Sequence, residues 1–339
     1  MNKLFKKFHP NLNNKSILVT GGTGSFGKHL VKTIVNNYKP KRLVIFSRDE
    51  LKQYDMQKEL NEKKNLYLRF FIGDVRDKNR LEMAFKNVDI VIHAAALKQV
   101  ESSEYNPYEA IQTNIIGSQN VISASFYNNV KKTIFISTDK ATNPVNLYGA
   151  TKLAAEKLFV AANNIKGKSS SAFSVVRYGN VIGSRGSVIP IFLKCKKSKT
   201  KVVPITHKSM TRFLISLENG VNFVLSSLGL MSGGEIFVPK ISSVKIVDLA
   251  KVILPGCKIK YIGIRRGEKL NELLINKDES NQLLETKDMY IIPPSLPFYK
   301  IKLDPRLKFK KISNNFSYSS DQNSLLLKPK EIGNMLKIK

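Results

Sequence analysis

Apolar residues in the first half of the chain fall into short unbroken runs, and stretches of helical period separate them. Lys15-Ser16-Ile17-Leu18-Val19-Thr20 is the first run and reads as a strand. A helical pattern follows from Lys28 to about Asn37. Further strands are expected at Arg42 to Phe46, Leu66 to Ile72 and Val88 to His93. Thr113-Asn114-Ile115-Ile116-Gly117 lies within another helix. Thr133-Ile134-Phe135-Ile136 reads as a buried fifth strand, and Asn143-Pro144 breaks the chain into a loop. Tyr148 opens a helical pattern through Leu153, Ala154, Lys157 and Leu158, and Ser174 to Tyr178 is a sixth strand. Such alternation predicts an α/β fold built on a doubly wound parallel sheet. After about residue 185 the elements shorten. Strands Glu235 to Val238 and Ile259 to Ile262, with helices Ser216 to Ser227 and Val247 to Ile253, predict a smaller lobe. The tail from about Pro293 is rich in Pro, Lys, Ser and Asn, and is expected to wrap the surface or to be partly mobile.

Chemistry gathers where these strands end. The first strand runs into Gly21-Gly22-Thr23-Gly24-Ser25-Phe26-Gly27, a G-x-x-G-x-x-G turn opening a helix. Gly21 permits the tight turn, Gly24 lets backbone approach a pyrophosphate, and Gly27 allows close helix packing. With Thr23, Ser25 and Phe26 they form a candidate dinucleotide cradle; a glycine-rich turn without a ligand is the plainer alternative. The second strand ends in Ser47-Arg48-Asp49, with Lys52 beyond. Ser47 and Arg48 suit a 2′-phosphate better than a ribose 2′-hydroxyl, so NADP is expected, while Asp49 keeps NAD open. Asp74, before Val75, sits where an adenine amino group would be read, and it can equally cap a helix. Ala94-Ala95-Ala96 allow close approach to a cofactor, Lys98 can face the site, and Asn114 can hold backbone or water there. His93 is expected to be a packed strand-end residue, not a metal ligand. Tyr148, Lys152 and Val181 complete the candidate cofactor set. The chain therefore divides into an N-terminal extension (1–14), an NADP-binding Rossmann domain (15–185), a mostly substrate-binding lobe that partly returns to the sheet (186–292) and a C-terminal tail (293–339).

Ser137-Thr138-Asp139-Lys140 closes the fifth strand just ahead of Tyr148 and Lys152. Four apart on a helix, Tyr148 and Lys152 share a face. An ammonium beside a phenol favours the phenolate, so Tyr148 is expected to act as a base below its free pKa of about 10. A bare Tyr-x-x-x-Lys is commonly an ordinary helix start. The preceding Ser-Thr-Asp-Lys and the distant glycine turn are what point to chemistry.

Composition narrows the classes. The chain has 339 residues, 42% apolar and 24% charged, as soluble globular proteins do. No run approaches the ~18 apolar residues of a membrane span. The N-terminus is basic without an apolar core segment, so no signal peptide is expected. Cys195 and Cys257 are unpatterned, which fits a reducing cytoplasm and predicts no zinc site. The formal charge of +30 has two readings, a nucleic-acid footprint or a lysine bias over the whole surface. The lysines are scattered and their clusters short, so the bias is preferred and no nucleic-acid partner is expected. A diffuse positive field still attracts an anionic substrate such as a sugar nucleotide.

Over roughly residues 15 to 290 these features resemble the extended short-chain dehydrogenase/reductase superfamily, and within it the inverting UDP-N-acetylglucosamine 4,6-dehydratases of pseudaminic acid synthesis. The resemblance is carried by Thr20 to Gly27, Ser47 to Lys52, Gly73 to Asp77, Ala94 to Lys98, Ser137 to Ala141 and Asn146 to Lys152. Arg177 to Val181, Gly183 to Ser187, Met210 to Phe213, Gly267 to Leu270 and Phe316 to Ser320 extend it. Gln99, Arg266 and Asn271 depart from the family pattern, which has His, Pro and His there. The departures bear on substrate affinity and loop geometry, not on the reaction class.

The resemblance implies a mechanism. Tyr148, assisted by Lys152 and Thr138, takes the proton of the sugar 4-hydroxyl while hydride leaves C4 for NADP+. Lys140 then removes the C5 proton and Asp139 protonates the departing 6-hydroxyl. Hydride returns to C6, and reprotonation on the other face inverts C5. Lys140 needs a lowered pKa for this and Asp139 a raised one. Asn180, Arg185, Arg212, Arg265 and Glu268, with Lys98, would hold the substrate. A homo-oligomer is implied, without metal or membrane. The alternatives are another UDP-sugar 4,6-dehydratase/5-epimerase, a 4-epimerase, which has no use for Asp139-Lys140, and a cofactor-binding regulator on the same fold.

Overall fold

Residues 5–61, 64–165, 167, 169–184, 187–198, 200, 202–294, 303–312 and 315–336 are described by a computed structural model. All five residues of β1 (Ser16–Thr20) are buried, so this strand needs cover on both faces. The helices of successive crossovers supply it. After α1 (Ser25–Asn37) come β2 (Arg42–Ser47), α2 (Glu50–Glu59), β3 (Leu68–Ile72), α3 (Lys78–Ala84) and β4 (Ile90–His93). Asp49 and Asp77 start α2 and α3 by accepting from Lys52 N and Arg80 N. Next come α4 (Val100–Tyr105), α5 (Pro107–Ile111) and α6 (Gly117–Tyr127), with a π-helical turn, Gln112–Ile116, joining the last two. Then β5 (Lys132–Thr138) passes through a 3-10 turn, Asp139–Ala141, to α7 (Leu147–Ile165) and β6 (Ala172–Tyr178).

The lobe follows with β7 (Asn180–Val181), α8 (Val188–Lys197), β8 (Val202–Ile205) and β9 (Thr211–Ile215). Helix α9 (Leu217–Leu230) leads to β10 (Ile236–Pro239), which rejoins the main sheet parallel to β6. Then come β11 (Ser242–Lys245), α10 (Ile246–Ile253), β12 (Lys258–Tyr261), β13 (Leu273–Ile275), β14 (Leu284–Glu285), β15 (Met289–Ile292), β16 (Lys310–Lys311), β17 (Tyr318–Ser319) and α11 (Pro329–Leu336). The main sheet runs β16-β14-β15-β10-β6-β5-β4-β1-β2-β3 and is parallel from β3 to β10. Strand order reverses between β1 and β4, which opens a crevice at their carboxyl ends. A sheet β11-β9-β7 and a pair β12-β8 build the lobe, around a second core that includes Phe192, Val203, Met210 and Leu249.

The first and last described segments are both tied in. The tail, expected to wrap the surface or to be partly mobile, contributes buried residues to both cores among its described residues. Strand β17 pairs with β13, the Tyr318 hydroxyl bonds both the N and O of Ile241 at 2.9 Å, and Ile332 on α11 lies in the lobe core. Its Lys, Ser and Asn content masks an apolar stripe of Leu327, Ile332, Met335 and Leu336. Likewise Phe5 packs edge-on against Phe223 with centroids 5.0 Å apart, and Leu12 is wholly buried. Helix α7 is pinned to β6 by Arg177, a wholly buried guanidinium bonded to Glu156 at 2.6 and 3.0 Å and to Glu279 at 2.9 Å.

Candidate active site

The glycine turn lies at the carboxyl end of β1, beside the reversal in strand order. Gly21 has φ +65°, and a Cβ there would meet Ala95 N at 2.8 Å, so the turn and the alanine loop pack backbone to backbone. Gly24 is the N-cap of α1 and supplies no side-chain cap. A Cβ added at Gly24 would occupy space that is open apart from Gly21 O at 3.2 Å. Free helix N–H donors behind a side-chain-free surface fit a pyrophosphate. Thr23, Ser25 and Phe26 lie in the same turn.

At the end of β2, Ser47 is buried and its Oγ accepts from Gln53 Nε2 at 3.1 Å. Arg48 is half exposed, with NH1 3.4 Å from Asp74 Oδ2. Asp49 pairs with Lys52 Nζ as well as capping α2. Asp74 is not the α3 cap, because Asp77 takes that place. Its carboxylate instead accepts from Arg76 N, Nε and NH2 at 2.9, 2.9 and 2.7 Å. Burial would raise the Asp74 pKa, but Arg76 and Arg48 outweigh it and hold the carboxyl below its usual range. Val75 is buried against Gly117. Asn114, in the π-helical turn, clamps Leu97 by its N and O at 2.8 and 2.9 Å and donates to Thr151 Oγ1 at 3.0 Å. Lys98 is exposed on the same loop, and Val181 lies half-buried in β7. His93 is wholly buried between Thr20 Oγ1 and Ser118 Oγ at 2.7 and 3.1 Å. Burial, then Lys152, push its pKa down to about 3, so it is neutral. Among the described residues no cluster of His, Cys, Asp and Glu is set to hold a metal.

The fifth strand leads into the groups expected to be catalytic. Thr138 Oγ1 donates to Asp139 Oδ1 at 3.0 Å, and Lys140 Nζ donates to the same oxygen at 2.9 Å. Lys140 Nζ also lies 3.1 Å from Glu272 Oε1 and 3.3 Å from Asn180 Oδ1. Burial and the Glu272 charge raise the Asp139 pKa against the pull of Lys140. For Lys140 the expected lowering does not occur. Burial acts downward, but the Asp139 and Glu272 carboxylates outweigh it and the pKa rises.

Tyr148 and Lys152 also differ from expectation. Lys152 is buried, donates to Ile136 O at 2.6 Å and lies 3.9 Å from the Phe135 ring centroid. Burial lowers its pKa to about 7, against an opposing pull from Glu156. The cation that favours the Tyr148 phenolate is Lys140, not Lys152. Burial dominates, and with Asp139 and Glu272 it pushes the phenol up to about 12 despite Lys140 and a hydrogen bond with Thr138.

A cleft of about 190 Å³ opens beside these groups, lined by Val100, Glu101, Lys140, Asn146, Asn180, Arg212, Arg265, Arg266, Gly267, Glu268, Lys269 and Glu272. It gathers four of the expected substrate residues: Asn180, Arg212, Arg265 and Glu268. Arg265 is exposed and lies 3.9 Å from Glu101. Arg212 is buried, and its NH1 and NH2 donate to Thr211 O, Leu270 O and Lys269 O at 2.7, 3.0 and 2.9 Å. Its fork therefore holds the loop ahead of β13. Arg185 lies outside the described residues. Of the family departures, Gln99 is the N-cap of α4, Arg266 lines the cleft, and Asn271 Oδ1 accepts from Thr211 Oγ1 at 2.9 Å.

Glu272 is the residue sequence reasoning missed. Its signal was a lone charge running straight into the apolar Leu273-Leu274-Ile275, where a buried carboxylate demands a cation.

Comparison with known proteins agrees with this architecture. The sequence pattern of the family described as "Polysaccharide biosynthesis protein" matches residues 17–294. A UDP-N-acetylglucosamine 4,6-dehydratase (inverting) of Campylobacter jejuni is 55% identical over 94% of this chain and 96% of its own. A UDP-glucose 4-epimerase of Rickettsia bellii is 45% identical over 83% of each chain. The crystal structure of Pen from Bacillus thuringiensis superimposes with a TM-score of 0.87 at 39% identity, covering 96% of this chain and 98% of that one. The chain belongs to the polysaccharide biosynthesis protein family, on a Rossmann-like fold of the short-chain dehydrogenase/reductase type.

Proposed function

We propose that this chain is an inverting UDP-N-acetylglucosamine 4,6-dehydratase that works with NADP in the cytoplasm, as a homo-oligomer, and opens pseudaminic acid synthesis. Its product would be UDP-2-acetamido-2,6-dideoxy-beta-L-arabino-hex-4-ulose. The observation that carries this reading is the Asp139–Lys140 ion pair beside Tyr148, in which half-buried Lys140 lines a cleft with Asn180 and Arg265 and Asp139 is wholly buried behind it. A 4-epimerase moves hydride at C4 alone and needs no second acid–base pair. The C. jejuni relative, named for the dehydration, supports the same choice.

Bound NADP would supply the hydride acceptor at C4 and the hydride donor at C6. The chain supplies the proton chemistry. Tyr148 takes the proton of the 4-hydroxyl. Its phenol stands at about 12, raised by burial and then by the Asp139 and Glu272 charges against Lys140. Protonating Asp139 removes one of those opposing charges and so favours the phenolate. The same protonated Asp139 is the acid the departing 6-hydroxyl needs. Lys140, once a free amine, takes the C5 proton. Exposed Arg265 and Arg266 would meet the diphosphate at the cleft mouth.

The second reading, a UDP-sugar 4-epimerase, is favoured by the R. bellii relative. Incubation with UDP-N-acetylglucosamine separates the two. A dehydratase yields a product lighter by one water, whereas an epimerase returns a product of unchanged mass and refutes the proposal.

A further inference from the structure

A buried charge needs a partner, and Glu272 has two cations beside it. Its Oε1 lies 3.1 Å from Lys140 Nζ and its carboxylate 3.7 Å from Arg212 Nε, with the side chain 3% exposed. Its Oε2 is buried, with no hydrogen-bond partner among the described residues. The tail fixes its backbone. Glu272 N donates to Ser320 Oγ at 3.0 Å, and Ser320 N donates to Glu272 O at 2.9 Å. Ser320 Oγ also lies 2.6 Å from Thr211 Oγ1, next to Arg212. The motif Phe316 to Ser320 thus reaches the reactive lysine through a single side chain.

We propose that Glu272 is a positioning residue for Lys140: its buried carboxylate grips the amine from the lobe side and sets the pH range in which Lys140 acts as the C5 base. The inference rests on the dehydratase reading above. In that step the C5–H bond breaks and an N–H bond forms on Lys140. The electron pair stays on the sugar as the enolate of its 4-ketone. Lys140 must therefore enter the step as the amine.

The groups that face it are Asp139 on the 3-10 turn, Tyr148 on α7, Asn180 on β7, Arg212 on β9, and Lys269 and Glu272 ahead of β13. Arg212 disfavours the ammonium, and the two carboxylates favour it at 2.9 and 3.1 Å. Those carboxylates are not equivalent. The Asp139 carboxyl is raised above its usual range by burial and by Glu272, against the pull of Lys140. Glu272 stays ionised, because Lys140, Arg212 and Lys269 outweigh its burial. Once Asp139 is protonated, Glu272 is the counter-charge that remains on Lys140.

The test compares wild type with Glu272→Gln, which keeps the shape and removes the charge. Loss of an opposite charge at this range should lower the Lys140 pKa by roughly 1–3 units. The rise of kcat with pH, and of C5 deuterium uptake in deuterium oxide, should move to lower pH by the same amount. Nitrogen NMR of lysine-labelled protein, with Lys140→Arg to assign the signal, should show the shift without turnover. Ser320→Ala loosens the carboxylate without removing it and should give a smaller shift of the same sign, which decides the matter if Glu272→Gln does not fold. An unshifted profile and an unshifted Lys140 signal overturn the inference and leave Glu272 as a counter-charge to Arg212. Wild-type protein that fails to dehydrate UDP-N-acetylglucosamine overturns the dehydratase reading instead, and the NMR titration still reports whether Glu272 governs Lys140.

Discussion

Replacing Glu156 by Gln tests the tie between α7 and β6 and, through it, the platform under Tyr148 and Lys152. Arg177 and Glu156 are both wholly buried, joined by bonds of 2.6 and 3.0 Å. Gln keeps the volume and one acceptor oxygen, but the guanidinium loses one of its two carboxylate partners. Breaking one side of a buried ion pair costs about 3–5 kcal/mol. The low end applies, because Glu279 still holds Arg177 at 2.9 Å and Leu274 O accepts from it at 2.9 Å. About 3 kcal/mol, at roughly 2–4 °C per kcal/mol for domains of 150–250 residues, corresponds to a fall of at least about 6 °C in Tm. Calorimetry at neutral pH reads it directly. Glu279→Gln should cost less, since that side chain is 15% exposed. It should also flatten the acid limb. Burial acts upward on the Glu279 carboxyl, but Arg177 prevails and holds it low. A depressed carboxyl stabilises the fold above its unfolded pKa of about 4.3, and that contribution disappears as pH falls through the folded value. A Tm change of under about 2 °C for Glu156→Gln, less than 1 kcal/mol on the same scale, would refute the reasoning. It would mean that the guanidinium is satisfied without Glu156.

Three further outcomes are expected. Tyr148→Phe should form neither ketone nor reduced cofactor, whereas Lys140→Ala should still oxidise C4 but lose dehydration by about 10²–10⁴; equal C5 exchange in wild type and Lys140→Ala would move the base elsewhere. Arg48→Ala should weaken NADP+ more than NAD+ in calorimetric binding, and a larger loss for NAD+ contradicts the cofactor assignment. DNA binding should vanish by physiological salt if the +30 charge is a diffuse surface bias, and retention there would point to a built nucleic-acid site.

Much of the sheet was legible because its central strands are unbroken apolar runs. Strands β1, β2 and β6 start or end within one or two residues of the expected positions. Asp139 and Lys140 lie near Tyr148 as their short separation in sequence suggests, whereas the four-residue spacing of Tyr148 and Lys152 did not reveal that Lys140 is the cation acting on the phenol. What was not legible depends on distant segments. Lys140 is kept charged not by Asp139 alone but also by Glu272, which arrives from the loop before β13. Lys152 is held by Ile136 O, a backbone atom that no side-chain pattern reveals. Arg212 looked like a diphosphate fork, yet its donors close a loop whose path only the fold defines. The tail misled because its composition is polar while its few apolar residues sit at helical spacing.

The anchoring of Glu272 by Ser320 carries a consequence for how the protein is made. Translation delivers the Rossmann sheet first, and domains generally fold as they emerge from the ribosome. A nascent chain that has reached β15 already owns its glycine cradle, Asp139, Lys140 and Tyr148. It does not yet own β17, so β13 has no partner strand and the Glu272 backbone has no Ser320 to hold it. The Tyr318 and Asn323 bonds to Ile241, at 2.9 and 2.8 Å, are also still to come. The anchorage of Glu272 is thereby deferred until Ser320 has emerged, and a chain released before that point would have the glycine turn, Asp139, Lys140 and Tyr148 without it.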